Sequence, residues 1–170
     1  MEHKIIIAGF GGQGIVLAGS LLANAALIEE KNVAGMVSYG AEVRGGTATA
    51  TVVISEDEIS SPVIDKPTII IAMNQPSLDK YKDLGGHLVV NTSLAKLDDK
   101  KENIVEIPAT EIAQKLGNIK VTNLVVLGAL LKKVSVVSLE SAVKALPEVF
   151  KSKPNLVEIN KKALKEGFGY

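Results

Sequence analysis

Lys4-Ile5-Ile6-Ile7-Ala8-Gly9-Phe10-Gly11-Gly12-Gln13-Gly14-Ile15-Val16-Leu17-Ala18-Gly19-Ser20-Leu21-Leu22 is the stretch that decides the fold. Residues 4–8 form a β-branched run that stops at Gly9, as a short strand does, whereas residues 15–28 are rich in Ala and Leu and have helical length. Strand, glycine loop and helix follow one another without a break. On the helix, Ile15, Ala18, Leu22 and Ala25 share one face, while Val16, Ala23 and Leu27 make a second side apolar. That pattern predicts cover on both sides, from the helix's own sheet and from something else. The loop satisfies G-x-G-x-x-G in the context that gives the pattern meaning. Glycine lets the backbone approach a ligand, and free N–H groups at a helix start favour a phosphate or carboxylate. A tight strand-to-helix crossing needs glycine even without a ligand, so both readings stand here.

Outward from this unit, residues 33–38 and 47–54 read as strands, 68–73 as a strand buried on both faces, and 87–91 and 104–107 as two more. Residues 76–82 read as a helical turn capped by Asn74 or Gln75. Residues 110–116 read as a helix that Thr110 opens as N-cap and Gly117 stops. Residues 123–133, 139–149 and 154–166 are helical, with Thr122 or Asn123 suited to cap the first of them. Strands lie early and helices late, with no internal repeat or composition break. The expectation is an α/β fold: a single layered domain over residues 1–170, with a mostly parallel sheet, a Rossmann-like start and C-terminal helices. A dinucleotide site would also require an acidic residue about 20 positions past the loop, at the end of the second strand. That strand runs into Val37-Ser38-Tyr39-Gly40, and Glu29 and Glu30 fall before it, which disfavours NAD or FAD.

Composition narrows the chemistry further. The 170 residues carry 46% hydrophobic and 22% charged side chains, enough aliphatic material for one core. There is no Cys, which removes thiolate nucleophiles, cysteine-ligated zinc and iron–sulfur clusters from this chain. Charges balance at zero, with Lys scattered among Asp and Glu, so no field for nucleic acid exists. The apolar run after the amino terminus is too short for a signal peptide, and no stretch reaches membrane-spanning length; a cytoplasmic protein is expected. His3 and His87 are not placed for metal binding or catalysis, and the mixed charges from Asp98 to Glu102 read as a solvated loop.

One arginine occurs in the whole chain, Arg44, within Ser38-Tyr39-Gly40-Ala41-Glu42-Val43-Arg44-Gly45-Gly46. Its planar donor fork suits a phosphate or carboxylate, and the loop lies beyond a strand end, where α/β sheets gather ligands. Arg44 is suited to hold a phosphate, to pair with Glu42 or to bind a partner's carboxylate.

GFGGQGIVLAG near the amino terminus, SYGAEVRGGTA after the second strand, SPVIDKPTIIIAMN beyond them and VTNLVVLGALLK in the C-terminal half together resemble the gamma subunit of 2-oxoacid:ferredoxin oxidoreductases. The likeness covers nearly the whole chain; the same domain is similar to the smaller subunit of indolepyruvate oxidoreductases. It implies a non-autonomous subunit of an enzyme that converts a 2-oxoacid, coenzyme A and oxidised ferredoxin into acyl-CoA, carbon dioxide and reduced ferredoxin. Alpha, beta and delta-type subunits would be partners, carrying thiamine diphosphate and iron–sulfur clusters, with ferredoxin docking on the complex. Coenzyme A enters as co-substrate, since the domain matching this chain in fused members is associated with its binding. By carry-over the cofactor-contacting residues are Gly11, Gly12, Gln13, Gly14, Ser38, Tyr39, Arg44, Gly45 and Gly46, or else these form a subunit contact. The resemblance carries a slight preference for 2-oxoglutarate. A free nucleotide sensor without turnover and a pure scaffold are the alternatives.

Overall fold

The computed structural model describes residues 1–39, 47–97 and 102–170, apart from the side chains of Ser38, Tyr39 and Thr47. Its strands are β1 (Glu2–Phe10), β2 (Asn32–Tyr39), β3 (Thr47–Ser55), β4 (Ile69–Ala72), β5 (His87–Asn91) and β6 (Ile104–Ile107). Its helices are α1 (Ile15–Ile28), α2 (Gln75–Tyr81), α3 (Ala109–Lys115), α4 (Thr122–Lys133), α5 (Leu139–Val149) and α6 (Val157–Gly169).

The strands form one sheet in the order β2-β3-β1-β4-β5-β6. Strand β3 runs antiparallel to both β1 and β2, and the pairs β1–β4, β4–β5 and β5–β6 are parallel. All strands but β3 therefore point one way, the mostly parallel sheet expected. The order departs from a Rossmann unit, in which the second strand lies beside the first. Here β3 folds back from β2 and takes that place. Its alternating Thr and Ala, followed by Val52-Val53-Ile54, suit a position with neighbours on both sides, and β2 is pushed to the edge.

Residues 5–8 of β1 and all of β4 are apolar without interruption because helices cover both faces of the sheet there. On one face α1, α3, α4 and α5 build the main core around Ile5, Ile7, Ile71, Leu22 and Leu127. On the other, α2 closes a smaller cluster of Ile70, Ala72, Leu78, Leu88 and Val90. Helix α4 is buried from Thr122 to Leu131, and α6 lies against its outer side. Leu156 and Ile159 are half-buried and Ala163 and Leu164 fully buried, so the apolar stripe of the last helix is core. Residues 154–156 form a 3-10 turn that leads into α6.

Candidate site at the carboxyl edge of the sheet

β1 exits through the glycine loop towards α1 and the β2–β3 side, whereas β4 exits towards α2 and β5. Chain connections diverge between β1 and β4, and such a switch point leaves a crevice in which α/β proteins bind ligands. The register also brings the two loops of interest together. Phe10 pairs with Thr47, and Tyr39 pairs with Ala48, so the ends of the hairpin that bears Arg44 flank the exit of β1. Arg44, Gly45 and Gly46 lie outside the described residues; Ser38 and Tyr39 end β2, and only their backbone is described.

The glycine loop is shaped by its glycines and pinned by asparagines. Gly12 and Gly14 have φ of 91° and 71°, the left-handed region. Gln13 folds back so that its Oε1 accepts from the Phe10 N–H at 2.7 Å and from Asn74 Nδ2 at 2.9 Å. Asn74 Oδ1 in turn accepts from the Ser77 N–H at 3.0 Å, which makes Asn74 the N-cap of α2 as its position suggested. Asn123 donates from Nδ2 to the Gly14 carbonyl at 2.9 Å, and its Oδ1 is buried with no partner among the described residues. One turn away, Asn91 donates to Thr110 Oγ1 at 2.9 Å and to the Met73 carbonyl at 3.2 Å, and its Oδ1 accepts from the Thr110 N–H.

Two expected caps are corrected by this network. α3 starts at Ala109 with Pro108 as N-cap, and Thr110, rather than capping, donates its N–H to Asn91 Oδ1 and accepts from Asn91 Nδ2 at Oγ1. α4 follows Val121 with no side-chain cap: Thr122 Oγ1 donates to the Ile119 carbonyl, and Asn123 is spent on the glycine loop. Neither role was legible, because the partners lie far apart in the chain. α1 is bare in a different sense. Its N-cap is Gly14, no side chain bonds its first amides, and its first turn holds no acidic residue. Those amides and the positive end of the helix dipole face the loop.

Between loop and strand exits lies a crevice of about 190 Å³ lined by Gly12, Gln13, Met73, Leu94, Thr110, Ile119, Lys120 and Thr122. Gly11 and Gly12 are exposed at its mouth. Lys120 is exposed at its rim and forms no ion pair among the described residues. Its place at the site went unread because it sits in a 3-10 turn more than 100 positions downstream. Elsewhere, burial and the nearby Lys31 ammonium push His3 below the ordinary histidine range. Among the described residues no cluster of three or more metal-ligating side chains occurs, and no helix is long and apolar enough to cross a membrane.

Sheet order, bare helix start and switch-point crevice define an α/β domain with uncapped backbone amides at its carboxyl edge and no cysteine in the chain. The chain belongs to the pyruvate ferredoxin/flavodoxin oxidoreductase family, whose model matches residues 4–170. It is 35% identical over 170 residues to ketoisovalerate oxidoreductase subunit VorA of Methanothermobacter thermautotrophicus, covering 98% of this chain and 36% of that one. It thus spans about a third of VorA. It is 41% identical over 154 residues to 2-oxoglutarate synthase subunit KorC of Methanocaldococcus jannaschii, covering 86% of this chain and 82% of that subunit. The keto/oxoacid ferredoxin oxidoreductase gamma subunit of Geobacter sulfurreducens superposes with a TM-score of 0.86 at 32% identity, over 99% of this chain and 95% of the other. These relatives are subunits of enzymes.

Proposed function

We infer that this chain is the gamma subunit of a cytoplasmic 2-oxoacid:ferredoxin oxidoreductase, and that its carboxyl edge forms the surface next to coenzyme A. The observation that carries the reading is the uncapped start of α1 behind a loop held open by Gln13, Asn74 and Asn123. A diphosphate placed there meets free N–H donors, and Lys120 adds a cation at the crevice rim. Arg44, the one guanidinium of the chain, is assigned to a phosphate in the same reading, on the segment that joins β2 to β3. Thiamine diphosphate and iron–sulfur clusters belong to the alpha, beta and delta-type partners, and ferredoxin docks on the assembled enzyme.

The displaced β2 argues against the sensor alternative, since the strand end that would hold a ribose is separated from β1 by β3. A slight preference for 2-oxoglutarate rests on the resemblance alone, since the relatives include both KorC subunits, 37–41% identical, and VorA subunits, 35–38% identical. Anaerobic purification of the tagged chain from its native cells, followed by CoA-dependent viologen reduction with several 2-oxoacids, tests the assignment. Co-purification with cysteine-rich and thiamine-binding subunits and activity on 2-oxoglutarate are the expected result. A lone chain that binds nucleotide overturns it.

A further inference from the structure

We propose that two copies of this chain pair through strand β2 about a two-fold axis, joining their sheets edge to edge. The two edges of the sheet are not alike. β6 has four residues and carries the exposed Glu106, the short, charged form that proteins use to keep an edge unpaired. β2 has eight residues, Asn32-Val33-Ala34-Gly35-Met36-Val37-Ser38-Tyr39, without a charge or a proline, and so lacks any such protection. Met36 and Val37 are 51% and 46% exposed.

Both faces of this edge are apolar as well. On the helix side a groove of about 180 Å³ runs between Val16 and Ala23 of α1 and Val33, Gly35 and Val37 of β2. Val16 is 38% exposed and Leu27 61%, so the described residues leave the second apolar side of α1 open. On the opposite face Met36, Thr51, Pro62, Val63 and Ile64 line a second groove of the same volume. A strand of eight residues is about 26 Å long, and a stable, specific interface of at least ~1,200 Å² in total asks ~600 Å² of each copy, a band about 23 Å wide along the strand and the groove on either face of it.

The sequence of β2 selects a second copy as the occupant. In an antiparallel pair, opposite residues point to the same face, so a two-fold axis normal to the sheet must pass through a residue pair, not between residues. With Gly35 on the axis, Val33 meets Val37 on the helix side and Ala34 meets Met36 on the other. Val faces Val and Ala faces Met, the outer pair Asn32–Ser38 is polar but uncharged, and no like charges approach. With Met36 on the axis, two long side chains would meet head-on.

The absence of cysteine makes the register directly testable. Opposite residues have Cα atoms about 4.5–5.5 Å apart, within the range a disulfide spans. A mixture of Ala34→Cys and Met36→Cys chains is expected to form a covalent heterodimer under mild oxidation, while neither variant alone crosslinks to itself efficiently. The unmodified chain is expected to sediment as a dimer at roughly 10–50 μM, and Val37→Lys to weaken association at least ~100-fold with an unchanged circular dichroism spectrum. A monomer across that range overturns the proposal and assigns the edge to a different subunit. A dimer that neither Val37→Lys nor the mixed crosslink touches also overturns it. Neither readout involves coenzyme A, so the result is independent of the proposed function.

Discussion

Gln13 holds the glycine loop with a single oxygen, and two substitutions separate that structural duty from any ligand contact. Gln13→Ala removes both bonds to Oε1, from Phe10 N–H and Asn74 Nδ2, and is expected to cost about 1–2 kcal/mol in urea unfolding. Gln13→Glu keeps an acceptor for both donors and should leave unfolding nearly unchanged. The new carboxylate then stands where an anionic co-substrate is proposed, so the KM for coenzyme A in the reconstituted enzyme should rise roughly tenfold, the equivalent of about 1.4 kcal/mol of repulsion. A KM that stays put would move the ligand away from this loop. Glycines divide in the same way. Gly11 has open space around its Cα and should accept alanine without loss of stability, whereas a Cβ on Gly14 at φ 71° would overlap the Asn123 amide. The loop itself was legible in the sequence because strand, glycines and helix are contiguous, and Asn74 was legible because a cap acts on the next turn. Asn91 and Asn123 were not: their partners lie 19 and 109 positions away. Only the fold brings them to the site.

Helices α4 and α6 meet through glycine rather than through interlocking side chains. A Cβ on Gly128 would overlap the Leu164 carbonyl and lie 2.7 Å from Phe168 N, and one on Gly167 would overlap the Val125 carbonyl. These obstacles are backbone atoms, so the helices must separate; Gly128→Ala is expected to cost at least about 2 kcal/mol, read as a fall in melting temperature. The α1–β2 turn clamps α5 by electrostatics instead. Burial raises the Glu29 carboxyl, but Lys31, the Ser138 N–H and the Ser141 and Ser138 hydroxyls outweigh it and bring the group from 4.5 to about 2. Lys31 Nζ sits 2.8 Å from Glu29 Oε2 and also donates to the Val136 carbonyl. A carboxyl with a lowered pKa stabilises the fold fully above pH 4.5, and that contribution fades as pH falls towards 2. Glu29→Gln should therefore lower the melting temperature at pH 7 and flatten its decline between pH 4.5 and 2. Strand and helix positions followed from periodicity, since Ile69-Ile70-Ile71 and Ile15–Ile28 have unambiguous patterns. The slot taken by β3 did not, because a hairpin that folds back beside β1 has the same local sequence signals as one that extends the sheet outward.

At the scale of the molecule, fold class could be read because strands precede helices and apolar material suffices for one core, while the family resemblance came from four segments in fixed order, two of them glycine-rich. Among the described residues two regions stay open to solvent. One is the β2 edge, with its exposed Met36 and Val37; the other is the carboxyl-edge crevice, about 190 Å³ and walled on the described side by one chain only. A crevice of that size is smaller than the ~300–1,000 Å³ usual for cofactor-sized ligands, so it encloses part of coenzyme A at most. The chain aligns to 36% of VorA, so most of that polypeptide lies beyond the part this chain matches. Coenzyme A affinity should therefore depend on assembly. By titration calorimetry the isolated chain is expected to bind at least ~100-fold more weakly than the assembled enzyme, a difference of about 2.7 kcal/mol from contacts the partners add. Arg44→Lys keeps the charge but loses the planar fork, so in the assembled enzyme it should raise the KM for coenzyme A several-fold while leaving subunit stoichiometry intact. If stoichiometry changes and KM does not, Arg44 serves the subunit contact, and the carboxyl edge is a scaffold instead of a ligand surface.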